Sequence, residues 1–393
     1  MNIFAKFTKL AAELEKVKTA FGGINVVVEK ILSPTEAIVN GKQVILAGTN
    51  NYLGLTFDPA CIEAACQAIK EEGTGTTGSR MANGTYQSHL ILEKELSDFF
   101  GKAHTIVFTT GYAANLGVLS TLVGRDDIVL LDADCHASIY DGTRLGGVPV
   151  YRFRHNDVED LEKKLKRLRG KQPQDNILIV IEGLYSMLGD RAPLRALVEV
   201  KEKYEAYLLI DEAHSLGVLG ENGRGLAEEA GVEDKVDFIV GTFSKSLASI
   251  GGYCTSDYKE LELLRYASRP YVFTASLSPA NIAAARTALR LIRERPELKE
   301  RLWKNAYQLY GNLKEMGFEL GPEPSPIVAV RFKEPARALT VWKGLLEKGV
   351  YVNMVLPPAT PDGSALLRAS VSAAHKPEQI EAISEAFSAF SPA

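Results

Sequence analysis

The sequence predicts an α/β fold, a mostly parallel central sheet with helices on both faces, plus a smaller C-terminal α+β domain. Three observations predict it. Between about residues 105 and 257, short apolar runs alternate with helical patterns. Those runs are rich in β-formers and apolar on both faces, as strands covered on both sides must be. The polar motifs fall at the ends of the runs, where open α/β sheets place their ligands.

In chain order, the N-terminus MNIFAKFTKLAAELEKVKTAF alternates apolar and charged residues at helical spacing. It is too charged for a signal peptide. An amphipathic helix is expected there, packed on the protein's own body or, as the sharper alternative, lying on a membrane surface. Strand pairs INVVVEK, EAIVN and KQVILAG complete a small extension over residues 1–48. The strands expected next are TIVFTT, DIVLLDA, NILIVIEG, AYLLIDEA, DFIVGTFS and GYCTS, separated by helices, within a large domain over residues 49–279. After Pro279 a long helical stretch breaks near Pro296. Strand-like SPIVAVRF, helical RALTVWKGLLEKG, strand-like GVYVNMVL and LLRASVSA, and the helix KPEQIEAISEAFSAF then form a C-terminal domain over residues 280–393.

Composition narrows the function classes. With 393 residues and 46% hydrophobic content the chain buries large cores. Acidic residues number 49 against 45 basic ones, a net charge of −4, which offers no global field for nucleic acid. The basic stretch KKLKRLRGK reads as a solvated helix face. Four cysteines, Cys61, Cys66, Cys135 and Cys254, sit in no metal-ligand spacing, so no metal site is expected and a reducing cytoplasm is the default.

The segment GTFSKSLASIGG carries the first chemical signal. Lys245 follows the apolar run DFIVGTFS, and an ammonium held at a buried strand end is desolvated, which lowers its pKa and frees the amine to attack carbonyls. Thr242 and Ser244 supply hydroxyls that suit a phosphate, so the segment suggests a lysine bound to pyridoxal phosphate (PLP). Standing alone, the same pattern is more often a surface lysine after a strand. The second signal is AYLLIDEAHSLG, which places Asp211 and His214 just past another strand, Asp211 lying 34 positions before Lys245. An aspartate there suits the pyridine nitrogen of PLP and keeps it protonated, making the ring an electron sink, and His214 suits the phenolic oxygen. DEAH also marks nucleotide-driven enzymes, but no GxxxxGK[ST] loop precedes it. In TTGYAANLG a strand turns into a helix whose start carries Gly111 and Tyr112, free N–H groups fit for a phosphate.

The order of motifs resembles the α-oxoamine synthases, PLP-dependent transferases of fold type I that condense an amino acid with an acyl-CoA and release carbon dioxide. The resemblance runs from NNYLGL through GTGTTGSRMANGTYQSHLILEKEL, TTGYAANLG, DADCHASIYDG, EGLYSMLGD, DEAHSLG, GTFSKSLASIGG and LLRASVSAAH, nearly the whole chain. It implies that Lys245 binds the cofactor covalently, that Asp211 and His214 meet its ring nitrogen and phenolic oxygen, and that His136 stacks on the ring. It assigns the phosphate to Gly111, Tyr112, Thr242 and Ser244. It also implies a homodimer with shared active sites, in which Thr274 and Ser276 of the FTAS segment add contacts from the partner chain. Arg368 corresponds to the arginine that holds the amino acid's carboxylate, helped by Asn51 and Ser186.

Within the family, RPYVFTASLSP and GVYVN followed by PPATP look most like members that join L-serine to palmitoyl-CoA, giving 3-oxosphinganine. One departure stands out: just before PPATP those members carry an arginine, whereas this chain has Leu356. Alternatives keep the chemistry and change the partners, to glycine with succinyl-CoA or acetyl-CoA, or alanine with pimeloyl-CoA. An aminotransferase and a non-catalytic partner subunit stand further off. A cytoplasmic enzyme with weak contact at the inner membrane surface completes the expectation.

Overall fold

Two-sided burial is what makes the central sheet. The structure, a computed structural model, describes residues 2–21, 26–171, 176–357, 360 and 363–392. The first strands are β1 (Val28–Ser33), β2 (Glu36–Val39) and β3 (Lys42–Leu46). The central ones are β4 (His104–Phe108), β5 (Asp127–Asp132), β6 (Val150–Phe153), β7 (Asn176–Glu182), β8 (Tyr207–Asp211), β9 (Phe238–Thr242) and β10 (Gly252–Ser256). The last are β11 (Ile327–Phe332), β12 (Val350–Tyr351), β13 (Asn353–Val355) and β14 (Ala365–Ser370).

The central seven strands lie in the order β4-β10-β9-β8-β7-β5-β6. Only β10 runs against its neighbours; the pairings from β9 to β6 are all parallel. Successive side chains point to opposite faces, and both faces are apolar. Ile177, Ile179, Ile181, Leu208, Ile210 and Ile239 enter one core, while Leu178, Val180, Leu209 and Val240 enter the other. Helices Gln87–Phe100, Val158–Lys171 and Leu194–Lys203 cover the first face through Leu96, Leu161, Leu165 and Leu197. Helices Gly111–Leu122 and Ala137–Gly146 cover the second through Val118, Leu119 and Ile139. Each such aliphatic side chain contributes about 1.5–3 kcal/mol when fully buried.

The first core does not stop at the sheet. It continues through Leu302, Leu309 and Leu313 of helix Glu297–Glu315 into Leu345, Leu367 and Phe387. The three-stranded sheet β11-β14-β13 is antiparallel and presents Arg368 from its middle strand. The helical stretch after Pro279 breaks into Pro279–Glu294 and Glu297–Glu315, with Pro296 as the cap between them, because proline lacks the N–H that would continue the ladder.

Several expectations are corrected. GVYVNMVL is not one strand: it divides at Val352, so that β12 pairs parallel with β3 while β13 pairs with β14. Strand β6, VYRF, was absent from the sequence reading because its first three residues are exposed at the sheet edge. The N-terminal helix forms over Thr8–Phe21, but Leu10 and Leu14 on it, and Ile3, Phe4 and Phe7 before it, stand in solvent rather than against the body. Ile24 and Asn25 of INVVVEK, and Pro358, Ala359 and Pro361 of PPATP, lie outside the described residues.

Candidate active site

Because all strands of the central sheet but one run the same way, their C-terminal ends share one edge, and the polar motifs meet there. Asp211 closes β8 and is buried. Its Oδ2 accepts from Asn115 Nδ2 at 2.7 Å, and its Oδ1 accepts from the Ala213 N–H at 2.9 Å. Asn115 in turn is fixed on helix Gly111–Leu122 and donates to Ser138 Oγ at 3.0 Å. A carboxylate anchored from two sides stays in place when a cation approaches it.

Lys245 follows β9 and keeps partial access to solvent. Burial lowers its amine to about 8; Asp211 and Glu182 oppose that shift, and Arg368 adds to it. At neutral pH a sizeable share of such an amine is the free base, the form that attacks carbonyls and takes protons.

The two histidines are held neutral. Burial drives His214 well below the ordinary imidazole range, and the positive charges of Lys245 and Arg368 push the same way. Its Nδ1 meets the Tyr52 hydroxyl at 2.7 Å, with the rings edge to face. His136 is lowered by burial and by Lys245, against the pull of Asp211. Its Nδ1 lies 2.8 Å from Ser138 Oγ, and Tyr112 stands edge-on to its ring at 6.4 Å. A neutral ring lacks the charge that would repel a cationic partner.

At the start of helix Gly111–Leu122, Thr110 caps by accepting from the Ala113 N–H at 2.9 Å. The first N–H groups beyond it have no acceptor inside the helix. Gly111 touches Thr242: an added Cβ would lie 2.7 Å from Thr242 Cβ and 2.9 Å from its Oγ1. Thr242 Oγ1 lies 2.9 Å from Ser244 Oγ, so the helix start and two hydroxyls form one cradle suited to an anion.

Arg368 is buried; its Nη1 donates to the Ser186 carbonyl at 2.9 Å, and its Nη2 donates to Asn50 Oδ1. Its Nε has no hydrogen-bond partner among the described residues, so donor capacity of a planar fork is left for a carboxylate. Asn50 therefore makes the contact expected of its neighbour. Asn51 instead donates to Thr56 Oγ1 at 2.8 Å, although its own Oδ1 is buried without a partner. Ser186 acts through its carbonyl. Arg368 shares with Met187, Trp342, Met354, Val355 and Leu356 the wall of a cavity of about 390 Å³.

Thr274 and Ser276 are not brought to this group within one chain. Ser276 Oγ lies 2.7 Å from Thr76 Oγ1 and donates to the Gly84 carbonyl at 2.6 Å. Reading the sequence also missed Asn50, Tyr52, Asn115 and Glu182. Glu182 closes β7 directly beside Asp211 and accepts from the His136 N–H at 2.5 Å. Burial, then the Asp211 charge, holds its carboxyl well above the usual range.

The donor set fits PLP: a cradle for its phosphate at Gly111, Tyr112, Thr242 and Ser244, a buried carboxylate for its ring nitrogen, and a lysine of lowered pKa for its aldehyde. Fold and site together define a PLP-dependent transferase of fold type I. The family described as aminotransferase class I and II matches residues 42–387. A serine palmitoyltransferase of Caulobacter vibrioides is 61% identical over 355 residues, 90% of this chain and 87% of the relative. A solved serine palmitoyltransferase from Sphingomonas wittichii superposes with a TM-score of 0.96 at 49% identity, over 100% of each chain. One from S. paucimobilis, bound to a PLP–myriocin aldimine, gives the same TM-score and identity over 99% of this chain and 98% of its own. The chain belongs to the class I and II aminotransferase family, in its α-oxoamine synthase branch.

Proposed function

We propose that the protein joins L-serine to a long-chain acyl-CoA with loss of carbon dioxide; with palmitoyl-CoA the products are 3-oxosphinganine, CoA and CO2, the first step of sphingolipid synthesis. The observation that carries this reading is the buried Arg368, its Nε unpaired, close enough to Lys245 to lower that amine. It supports a carboxylate grip and a proton acceptor in one site. The serine palmitoyltransferases similar to this chain along nearly its full length supply the substrate pair.

PLP, when bound, supplies an electron sink for the charge that develops at the amino acid's α-carbon. The chain's own residues do the rest. Lys245 would hold the cofactor's aldehyde, and its amine, lowered to about 8 by burial, is suited to take the amino acid's α-proton. Asp211, fixed by Asn115, would pair with the ring nitrogen. His214, oriented by Tyr52, would meet the phenolic oxygen, and His136, lying across from Tyr112, would cover the ring. Gly111, Tyr112, Thr242 and Ser244 take the phosphate. Arg368, braced by Asn50 and the Ser186 carbonyl, grips the carboxylate that later leaves as carbon dioxide. Asn51, with its buried free Oδ1, stands beside that brace.

With Leu356 in place, Arg368 is the one guanidinium lining its cavity among the described residues, and Tyr351 and Asn353 join the apolar Met187, Trp342, Met354, Val355 and Leu356 in its walls. Apolar walls suit an acyl chain. A second copy of the chain would complete the site, a reading supported by the exposed aromatic Phe273 beside Thr274. Among the described residues no helix is long and apolar enough to cross a membrane. The exposed Ile3, Phe4 and Phe7 support weak contact with the inner membrane surface, and four free thiols support a cytoplasmic site of action.

The test offers purified holoenzyme L-serine, glycine and L-alanine in turn, following the cofactor's visible spectrum. CoA release is then assayed from acetyl-CoA through palmitoyl-CoA. A spectral response to serine with release rising toward long chains is expected. Release confined to short acyl-CoAs, or a response to glycine or alanine alone, contradicts the proposal. Lys245→Ala should bleach the yellow protein and lower turnover by at least about a thousandfold, as loss of a nucleophile and base together does.

A further inference from the structure

Beneath the Arg368 grip lies a cluster that the chemistry above does not use. His155, just after β6, stands between two carboxylates: its Nδ1 is 2.8 Å from Asp132 Oδ1 and its Nε2 is 2.6 Å from Asp190 Oδ2. Asp132 ends β5 and is fully buried; Asp190 ends the EGLYSMLGD loop and is buried too. Asn156, in the left-handed region at φ 54°, adds a backbone N–H to Asp132 Oδ2 at 2.9 Å. Its side chain donates to Asp190 Oδ2 at 2.9 Å and to the Arg191 carbonyl at 3.0 Å. The Tyr185 ring packs edge-on against the imidazole, 4.5 Å between centroids.

Asp190, Arg191 and Tyr185 belong to one loop, and Asp132 belongs to β5. Residues 184–191 fold back on themselves through the Leu184–Arg191 bridge, the Tyr185 N–H to the Asp190 carbonyl at 2.9 Å, and the Gly189 N–H to the Tyr185 carbonyl at 3.0 Å. At its tip the loop offers the Ser186 carbonyl to Arg368, and Met187 to the cavity beside it. A carbonyl that braces a guanidinium holds it only as firmly as its own backbone is held.

We infer that Asp132, His155 and Asp190 form a positioning clamp that ties the 184–191 loop to the end of β5 and thereby sets the aim of the carboxylate-gripping Arg368. Two carboxylates around one imidazole keep the ring protonated, since burial alone would lower its pKa but the two ion pairs raise it to about 10. Both carboxylates and the imidazolium then bond with charge assistance, about twice as strong as neutral pairs. The inference rests on the reading of Arg368 as the carboxylate grip, and its test separates the two.

The test compares L-serine with ethanolamine, the same amino alcohol skeleton without the carboxylate, by equilibrium titration of wild-type, His155→Gln and Asp190→Asn holoenzymes. Wild type should bind serine more tightly than ethanolamine; if it does not, the reading of Arg368 itself fails. In both variants serine binding and KM for serine should weaken by about tenfold, which corresponds to about 1.4 kcal/mol. Ethanolamine binding and kcat should change by less than about threefold, since neither depends on the aim of Arg368 at a carboxylate. Variants that keep the wild-type preference for serine, or lose both ligands equally with a lowered Tm, overturn the clamp. Should His155→Gln not fold, the nearly isosteric Asp190→Asn decides; failure of both to fold assigns the cluster to folding alone and overturns the inference as well.

Discussion

At the scale of the residue, two half-buried groups, Lys245 and His155, sit in opposite electrostatic settings, and pH separates them. Lys245 has its amine lowered by burial to about 8, from an ordinary value near 10.4. The unfolded chain therefore binds more protons between those values, and stability rises with pH across that window. In cofactor-free protein, Lys245→Met should raise Tm most below pH 8, and the gain should fade toward pH 10.5. His155 runs the other way. Faced by Asp132, Asp134, Asp190 and the Tyr185 ring, it is raised to about 10, above the ordinary 6.5 or so. Its stabilisation is fully present below pH 6.5 and is lost as pH rises through 10. The Tm deficit of His155→Gln should therefore shrink over that range, as scanning calorimetry of both variants in matched buffers will show; a constant deficit contradicts a charged clamp. Lys245, Asp211 and His214 were suggested by two strand-end motifs read together, and His136 by the family resemblance alone. Glu182, Asn50 and the His155 cluster were not, since only the sheet order sets Glu182 beside Asp211 and only the folded loop brings Asp190 to His155.

At the scale of the element, the site depends on how closely a helix start approaches a strand end. Gly111 opens helix Gly111–Leu122 against Thr242 at the end of β9, and an alanine there would press its Cβ to 2.7 Å from Thr242 Cβ. The threonine is bonded to Ser244 and to the Gly251 carbonyl, so it has little room to yield. Gly111→Ala should therefore widen the cradle and weaken PLP binding by at least about tenfold, with little loss of secondary structure. Titration of the stripped protein with PLP, followed by absorbance and circular dichroism, checks both halves. Unchanged PLP affinity would place the phosphate elsewhere. Elements were legible where burial is two-sided, as in NILIVIE, which became β7 over the same residues. They were not where tertiary pairing decides. Nothing within GVYVNMVL says that its first half joins β3 and its second half β14, because both halves have the same strand character and differ only in their partners.

At the scale of the whole molecule, the apolar core crosses from the central sheet into the C-terminal residues without interruption. Polar bonds repeat the connection. Ser370 donates its N–H to the Ala47 carbonyl at 2.7 Å, and Ser372 Oγ donates to the Asn51 carbonyl at 2.6 Å. These bonds hold the segment that carries Asn50 against the strand that carries Arg368, so the grip forms only where the two parts are docked. Both tryptophans of the chain, Trp303 and Trp342, lie in the C-terminal part. Trp303 donates to the Val218 carbonyl of the central part at 2.8 Å, whereas Trp342 donates to the Val352 carbonyl at 3.0 Å. Tryptophan fluorescence therefore reports on the C-terminal part and on its docking, while far-ultraviolet circular dichroism reports on all helices. If one core holds the chain together, the two signals should share a single urea midpoint. Leu302→Ala, a fully buried contact in that core, should move both midpoints down together by an amount equal to about 2–5 kcal/mol. A fluorescence transition that precedes the dichroism, or shifts alone in Leu302→Ala, would show instead that the C-terminal part unfolds on its own, and serine binding would then be lost at the earlier midpoint because Arg368 leaves with it.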